Sequence, residues 1–131
     1  MSAKKGLPPL TSAQLELMNV LWDQREGTVA SVWHELRDKR GFARNTVQTT
    51  LVRLEEKGYL RHREQGNAFV YTPTCKRTTV QGGMVRSLLE TAFEGSVSGL
   101  IMTLLNKERP TEEEIERIQQ MLDKHREAQD K

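Results

Sequence analysis

Between about Ala43 and Lys57, this 131-residue chain places short hydrogen-bonding side chains where a solvated helix would favour Glu and Lys. At 100° per residue, Val47, Leu51 and Leu54 fall on one side, and Asn45, Gln48, Thr49, Val52, Arg53 and Glu56 on the other. Asn45 or Gln48 can hydrogen-bond in pairs to an adenine edge, Arg53 can reach guanine or a phosphate, and the Thr49 methyl can meet a thymine methyl. Such a surface suits a helix entering a DNA major groove. Arg44 and Thr46 stand at the helix start, where backbone N–H groups and the positive dipole end favour a phosphate. Thr46, Thr49 and Thr50 are poor helix formers, and reading base edges supplies a reason for them. Glu56 is unfavourable for DNA but lies at the far end.

Further basic residues converge on this helix. Arg61 and Arg63 are two apart on an expected strand and share one face, and Lys39 and Arg40 precede the helix. Their expected role is contact with backbone phosphates, which sets register and affinity without reading sequence directly. Up to residue 80 the chain carries thirteen Lys and Arg against eight Asp and Glu, and afterwards seven against ten. A basic first part and an acidic second part confine a polyanion contact to the first.

The elements that must position these residues follow from periodicity. Thr11 and Gln14 have the capping-box form, and Leu15, Met18, Leu21 and Trp22 make an apolar stripe on a first helix. Gly27 ends that region. Val29, Val32, Trp33 and Leu36 mark a second helix over about Ala30–Lys39, broken by Gly41. The third helix ends at Gly58, a natural C′ residue. Tyr59 to Gln65 and Ala68 to Thr72 then read as strands joined at Gly66-Asn67, a hairpin signal, with Pro73 ending the second. Three helices closed by a hairpin are the winged form of the helix-turn-helix.

Residues 74–83, with Gly82-Gly83, read as a linker and a weakly started helix with a hinge. Helical stretches follow over about 80–94, 96–105 and 112–126, the last opened by Thr111 and Glu114 in capping-box form. Their apolar positions are too few to close a core of their own, and the first three helices and hairpin already close theirs. Pairing with a second copy is the economical solution, through Val80, Met84, Leu88, Phe93, Val97, Leu100, Ile101, Leu104, Leu105, Ile118 and Leu122. A twofold dimer would present two recognition helices about 34–36 Å apart.

Other chemistries find little support. Hydrophobic residues are 36% and charged residues 29%, and no apolar run is long enough to span a bilayer. The start Met-Ser-Ala-Lys-Lys-Gly lacks the apolar region of a signal peptide, and one cysteine, Cys75, gives no disulfide framework; a cytoplasmic location is expected. His34, His62 and His125 lack metal-ligand spacing, so no metal and no cofactor are expected. Cys75 beside Lys76-Arg77 could form a low-pKa redox thiol, though a lone linker cysteine is more often incidental. No Ser/His/Asp set, carboxylate pair or phosphate loop stands out, so catalytic residues and an enzyme are not expected.

At these residues the chain resembles the BlaI/MecI penicillinase-repressor family of bacterial regulators. The resemblance is carried by LTSAQLELMNVLW (10–22), TVASVWHEL (28–36), NTVQTTLVRLEEKGYL (45–60), GNAFVYTP (66–73) and LLNKERPTEEEIERIQQML (104–122). The family's recognition-helix pattern is matched by Thr46, Val47, Thr49, Leu51, Arg53 and Leu54. The resemblance implies a homodimeric repressor on palindromic operators, with an intertwined C-terminal helical interface. In the penicillinase branch, a signal from a membrane sensor protease leads to cleavage at an Asn-Phe pair in the second-last helix. Thr103-Leu104 stands there instead, which counts against such cleavage and leaves a signalling protease an open question as partner. The Cys-x-Cys motifs of the copper-responsive branch are missing, which counts against copper sensing.

The expected fold is therefore mainly α with a small β-hairpin. It comprises a flexible arm (1–10), a winged-helix DNA-binding domain (11–74), a helical dimerisation domain (75–127) and a tail (128–131). The expected function is sequence-specific transcriptional regulation, most simply repression, at an inverted-repeat operator in double-stranded DNA. The competing class is a winged-helix module that binds protein and not DNA; it predicts no sequence-specific binding of duplex and little salt dependence.

Overall fold

The computed structural model describes residues 7–130. The element order is α1 (Ser12–Gln24), α2 (Val29–Arg40), α3 (Arg44–Glu56), β1 (Leu60–Gln65), β2 (Ala68–Pro73), α4 (Arg77–Thr91), α5 (Val97–Glu108) and α6 (Glu112–Gln129). The fold is mostly helical with one antiparallel hairpin, as expected, and the chain divides into two compact units between Gly83 and Met84.

In the first unit, local caps decide where each helix begins. Thr11 accepts from the Gln14 N–H at 3.2 Å, and the Gln14 side chain accepts from the Thr11 N–H at 3.0 Å. Thr28 and Ser31 form the same reciprocal arrangement, so α2 starts at Val29, one residue before the expected Ala30. Serine at the third helical position is a weaker signal than Glu or Gln, so the residue pattern alone does not announce this box. Gly41 ends α2 at φ 66°, with its N–H on the Arg37 carbonyl at 3.0 Å.

The core of this unit is Leu17, Met18 and Leu21 from α1, Val32 and Leu36 from α2, Val47, Leu51 and Leu54 from α3, and Tyr59, Leu60 and Tyr71 from the wing. The α3 stripe is as expected. The α1 stripe is broader: Leu17 and Val20 are buried, while Leu15 and Trp22 are only half-buried. The reason is that α1 packs against α2, α3 and β2 at once, so no single stripe faces all three.

The hairpin pairs Leu60 with Pro73, Arg61 with Thr72, Arg63 with Val70 and Gln65 with Ala68. Its second strand is held on its other edge by Gly27, which exchanges both backbone hydrogen bonds with Tyr71, at 3.0 and 2.7 Å. A Cβ at Gly27 would lie 2.8 Å from the Gln24 Oε1 and Ser31 Oγ and 3.1 Å from a Leu21 methyl, so any larger residue there would have to displace these side chains.

Of the expected arm, Lys4, Lys5 and Gly6 lie outside the described residues. Residues 7–10 are fastened to the α3–β1 junction: the Tyr59 hydroxyl donates to the Pro8 carbonyl at 2.7 Å, and the Lys57 ammonium to the Pro9 carbonyl at 2.9 Å. Leu7 and Leu10 pack against the core.

The expected weak start of α4 is corrected. The helix begins at Arg77 and runs through Gly82 and Gly83. Its first turn is anchored: Arg77 donates to the Asn19 carbonyl at 2.9 Å and to Asp23 at 2.8 Å, Trp22 donates to the Cys75 carbonyl at 2.9 Å, and Val80 packs on the core. Tertiary contacts at the start offset the glycine penalty.

In the second unit Ser96 caps α5 and Thr111 caps α6, each accepting from the N–H three residues on, at 3.0 and 3.1 Å. Only this half of the capping box expected at Thr111-Glu114 forms. Neither α5 nor α6 has a buried side chain among the described residues.

Candidate nucleic-acid interface

The fully buried Val47, Leu51 and Leu54 turn the opposite face of α3 outward. Asn45, Thr46, Gln48, Thr49, Val52, Arg53 and Glu56 are all exposed on it, Val52 to 42%. Thr50 is half-buried, and its hydroxyl donates to the Thr46 carbonyl at 2.6 Å. That threonine thus has a local partner and needs no base contact to explain it.

The expected phosphate-contacting residues separate by electrostatic environment. Arg63 is held by both oxygens of Glu26, at 2.9 and 3.0 Å, and also meets Gln65. The Arg63 guanidinium, through these hydrogen bonds and then its charge, lowers the Glu26 carboxyl below its ordinary value, and Arg63 is raised in turn. Lys39 pairs with Glu35 at 3.6 Å and Arg40 with Glu16. Arg44, Arg53 and Arg61 make no ion pair with another described residue. Arg61, on β1, and Arg53, on α3, present uncompensated charge from two adjoining elements.

The wing is tied to α3 by a contact that spacing alone did not reveal. His62 Nδ1 lies 2.7 Å and 2.8 Å from the two Glu55 oxygens, and its ring stacks on Phe69 with centroids 4.2 Å apart. Tyr71 lies alongside at 5.7 Å, its phenol raised above the ordinary value by burial and then by the Glu55 charge. A histidine on a strand and a glutamate seven residues earlier on a helix share no periodicity, so only the fold brings them together.

A second unforeseen cluster lies at the α2–α3 turn. The Trp33 ring carries the Arg37 guanidinium at 5.1 Å and the Arg44 guanidinium at 5.7 Å. The spacing of Trp33 and Arg37 by four residues on one helix was the available signal.

Of the expected partner-facing apolar residues, Met84, Leu88, Val97, Ile101, Leu104, Leu105, Ile118 and Leu122 are 38–58% exposed, and Phe93 and Leu100 are half-buried. Val80 differs, packing against the core of the first unit. Thr103-Leu104 lies within α5. Among the described residues no group of three or more His, Cys, Asp or Glu could hold a metal ion, and no helix is long and apolar enough to cross a membrane.

The family profile of the penicillinase repressor matches residues 10–124. The chain is 30% identical over 122 residues to the penicillinase repressor of Bacillus licheniformis, covering 93% of this chain and 95% of that one. It is 22% identical to the methicillin resistance regulatory protein MecI of Mammaliicoccus sciuri, over 88% of this chain and 94% of that one. Among solved structures, the DNA-binding domain of the repressor BlaI superposes with a TM-score of 0.51 at 36% identity, covering 55% of this chain and 88% of that one. A MarR family protein from Bacillus stearothermophilus, at 15% identity and a TM-score of 0.51, shares the fold. The profile match over most of the chain, together with a winged helix whose third helix turns a polar face outward, shows that the chain belongs to the penicillinase repressor family and is a DNA-binding transcriptional repressor.

Proposed function

We propose that this repressor binds an inverted-repeat operator as a homodimer, in the cytoplasm, with α3 in the major groove and the wing beside it. The observation that carries the reading is the division of α3 into a fully buried Val47-Leu51-Leu54 face and an exposed Asn45-Gln48-Thr49-Arg53 face. Asn45, Gln48 and Thr49 read base edges; Arg53 reads guanine or holds a phosphate. Arg44, Thr46 and Arg61 engage the backbone, and Lys39, Arg40 and Arg63 do so by exchanging an internal carboxylate for a phosphate.

The second copy is the partner that the apolar faces of residues 84–122 require. Ile101, Leu104, Leu105 and Leu122 expose 42–54% of their surface, which a chain alone in water would not favour. Thr103-Leu104 occupies the place of the family's Asn-Phe pair, which counts against relief of repression by cleavage at that point.

In vitro selection of bound duplexes tests the reading directly. The expected outcome is an inverted repeat with half-site centres about one helical turn apart. Enrichment of a single unrepeated site, or of none, would defeat it.

A further inference from the structure

Trp33 is half-buried at the α2–α3 turn, packed against the core, and its Nε1 donates to the Phe42 carbonyl at 3.1 Å. Packing and hydrogen bond together fix the plane of the indole. Over that plane sit two cations, Arg37 from α2 at 5.1 Å and Arg44, the first residue of α3, at 5.7 Å. Both distances are within the range in which an indole face attracts a guanidinium.

Trp33 is the ring that two guanidiniums share, whereas Trp22 carries Arg77 at 5.5 Å. Arg40, Lys39 and Arg63 each have a carboxylate partner. Arg44 makes no ion pair with a described residue, and Arg37 has only Asp38, at 3.8 Å and 83% exposed. Both guanidiniums lie close to one ring centroid, at 5.1 and 5.7 Å, so an anion reaching this turn meets two positive charges without a strong carboxylate to offset them. The planar guanidinium fork matches a phosphate in two directions.

We propose that Trp33 is a positioning residue that holds Arg37 and Arg44 as a paired clamp for one stretch of the DNA phosphate backbone. The inference rests on the reading of α3 as the DNA-contacting helix, and adds Arg37 to that surface. Holding both side chains in place before binding removes part of their ordering cost.

Duplex affinity measured across salt concentrations tests it, with thermal unfolding as a check on folding. Arg37→Ala and Arg44→Ala should each reduce the salt slope by about one and weaken operator and random duplex alike. Trp33→Leu should weaken binding about two- to fivefold for each cation released, and Trp33→Phe should restore most of it. In an Arg37→Ala/Arg44→Ala background, Trp33→Leu should cost nothing further. An equal loss from Trp33→Leu in both backgrounds means a merely structural role and overturns the proposal. So does an unchanged slope in Arg37→Ala and Arg44→Ala while Arg61→Ala lowers it. If no substitution, Arg61→Ala included, moves the slope, the wider placement of DNA on this face fails as well.

Discussion

Individual side chains divide into those that discriminate bases and those that supply charge, and substitution separates them. Gln48→Ala should relax preference at one base pair of the operator, by about 1–3 kcal/mol between right and wrong base. Arg61→Ala should weaken all duplexes alike and lower the salt slope by about one. Binding to a panel of single-base operator variants distinguishes the two. Glu26 makes an opposite prediction: because it occupies Arg63, Glu26→Gln should raise affinity for any duplex and steepen the salt slope by about one. The pair also responds to acid. The folded carboxyl is depressed below its ordinary 4.5, so its stabilising effect is present above that value and is lost as pH falls through the folded value. An NMR titration of the Glu26 carboxylate should find it below 4.5, and Arg63→Ala should return it there.

Helix ends and turns are where secondary elements acquire their direction. Thr28 starts α2 through a reciprocal bond pair with Ser31, and α2 sets the turn from which α3 departs. Thr28→Ala should therefore destabilise the fold by about 1 kcal/mol, measured by chemical denaturation. The α3 pattern was readable because three buried positions at helical spacing admit one arrangement. In the first helix periodicity shows only part of the buried face, because contacts with three neighbours widen that face beyond any single stripe. The continuation of α4 through Gly82 and Gly83 was not readable, because the Arg77 and Val80 contacts that hold its first turn come from residues far away in sequence.

At the scale of the whole molecule, the first unit closes a core and the second leaves its apolar residues open. Residues 84–122 carry Met84, Leu88, Ile101, Leu104, Ile118 and Leu122 at 38–54% exposure. A dimer held by these faces should sediment at twice the chain mass, and Ile101→Asp should return it to a single chain while leaving the first unit folded. Loss of the pair should cost operator affinity more than affinity for a half-site, because two linked contacts reinforce each other. An unaltered sedimentation profile for Ile101→Asp would place the contact elsewhere.

The amino-acid order by itself determined the three-helix-and-hairpin succession, the buried stripe of α3 and the polar surface opposite it. These rest on local rules: helical and strand periods, caps and turn residues act over a few neighbours. Only the tertiary structure decided which charges are already matched. Arg63 meets Glu26 and Arg40 meets Glu16, while Arg37 and Arg44 share an indole without a strong carboxylate partner. Electrostatic pairing depends on distance in space, and residues 24 or 37 positions apart have no local signal to announce that they will meet.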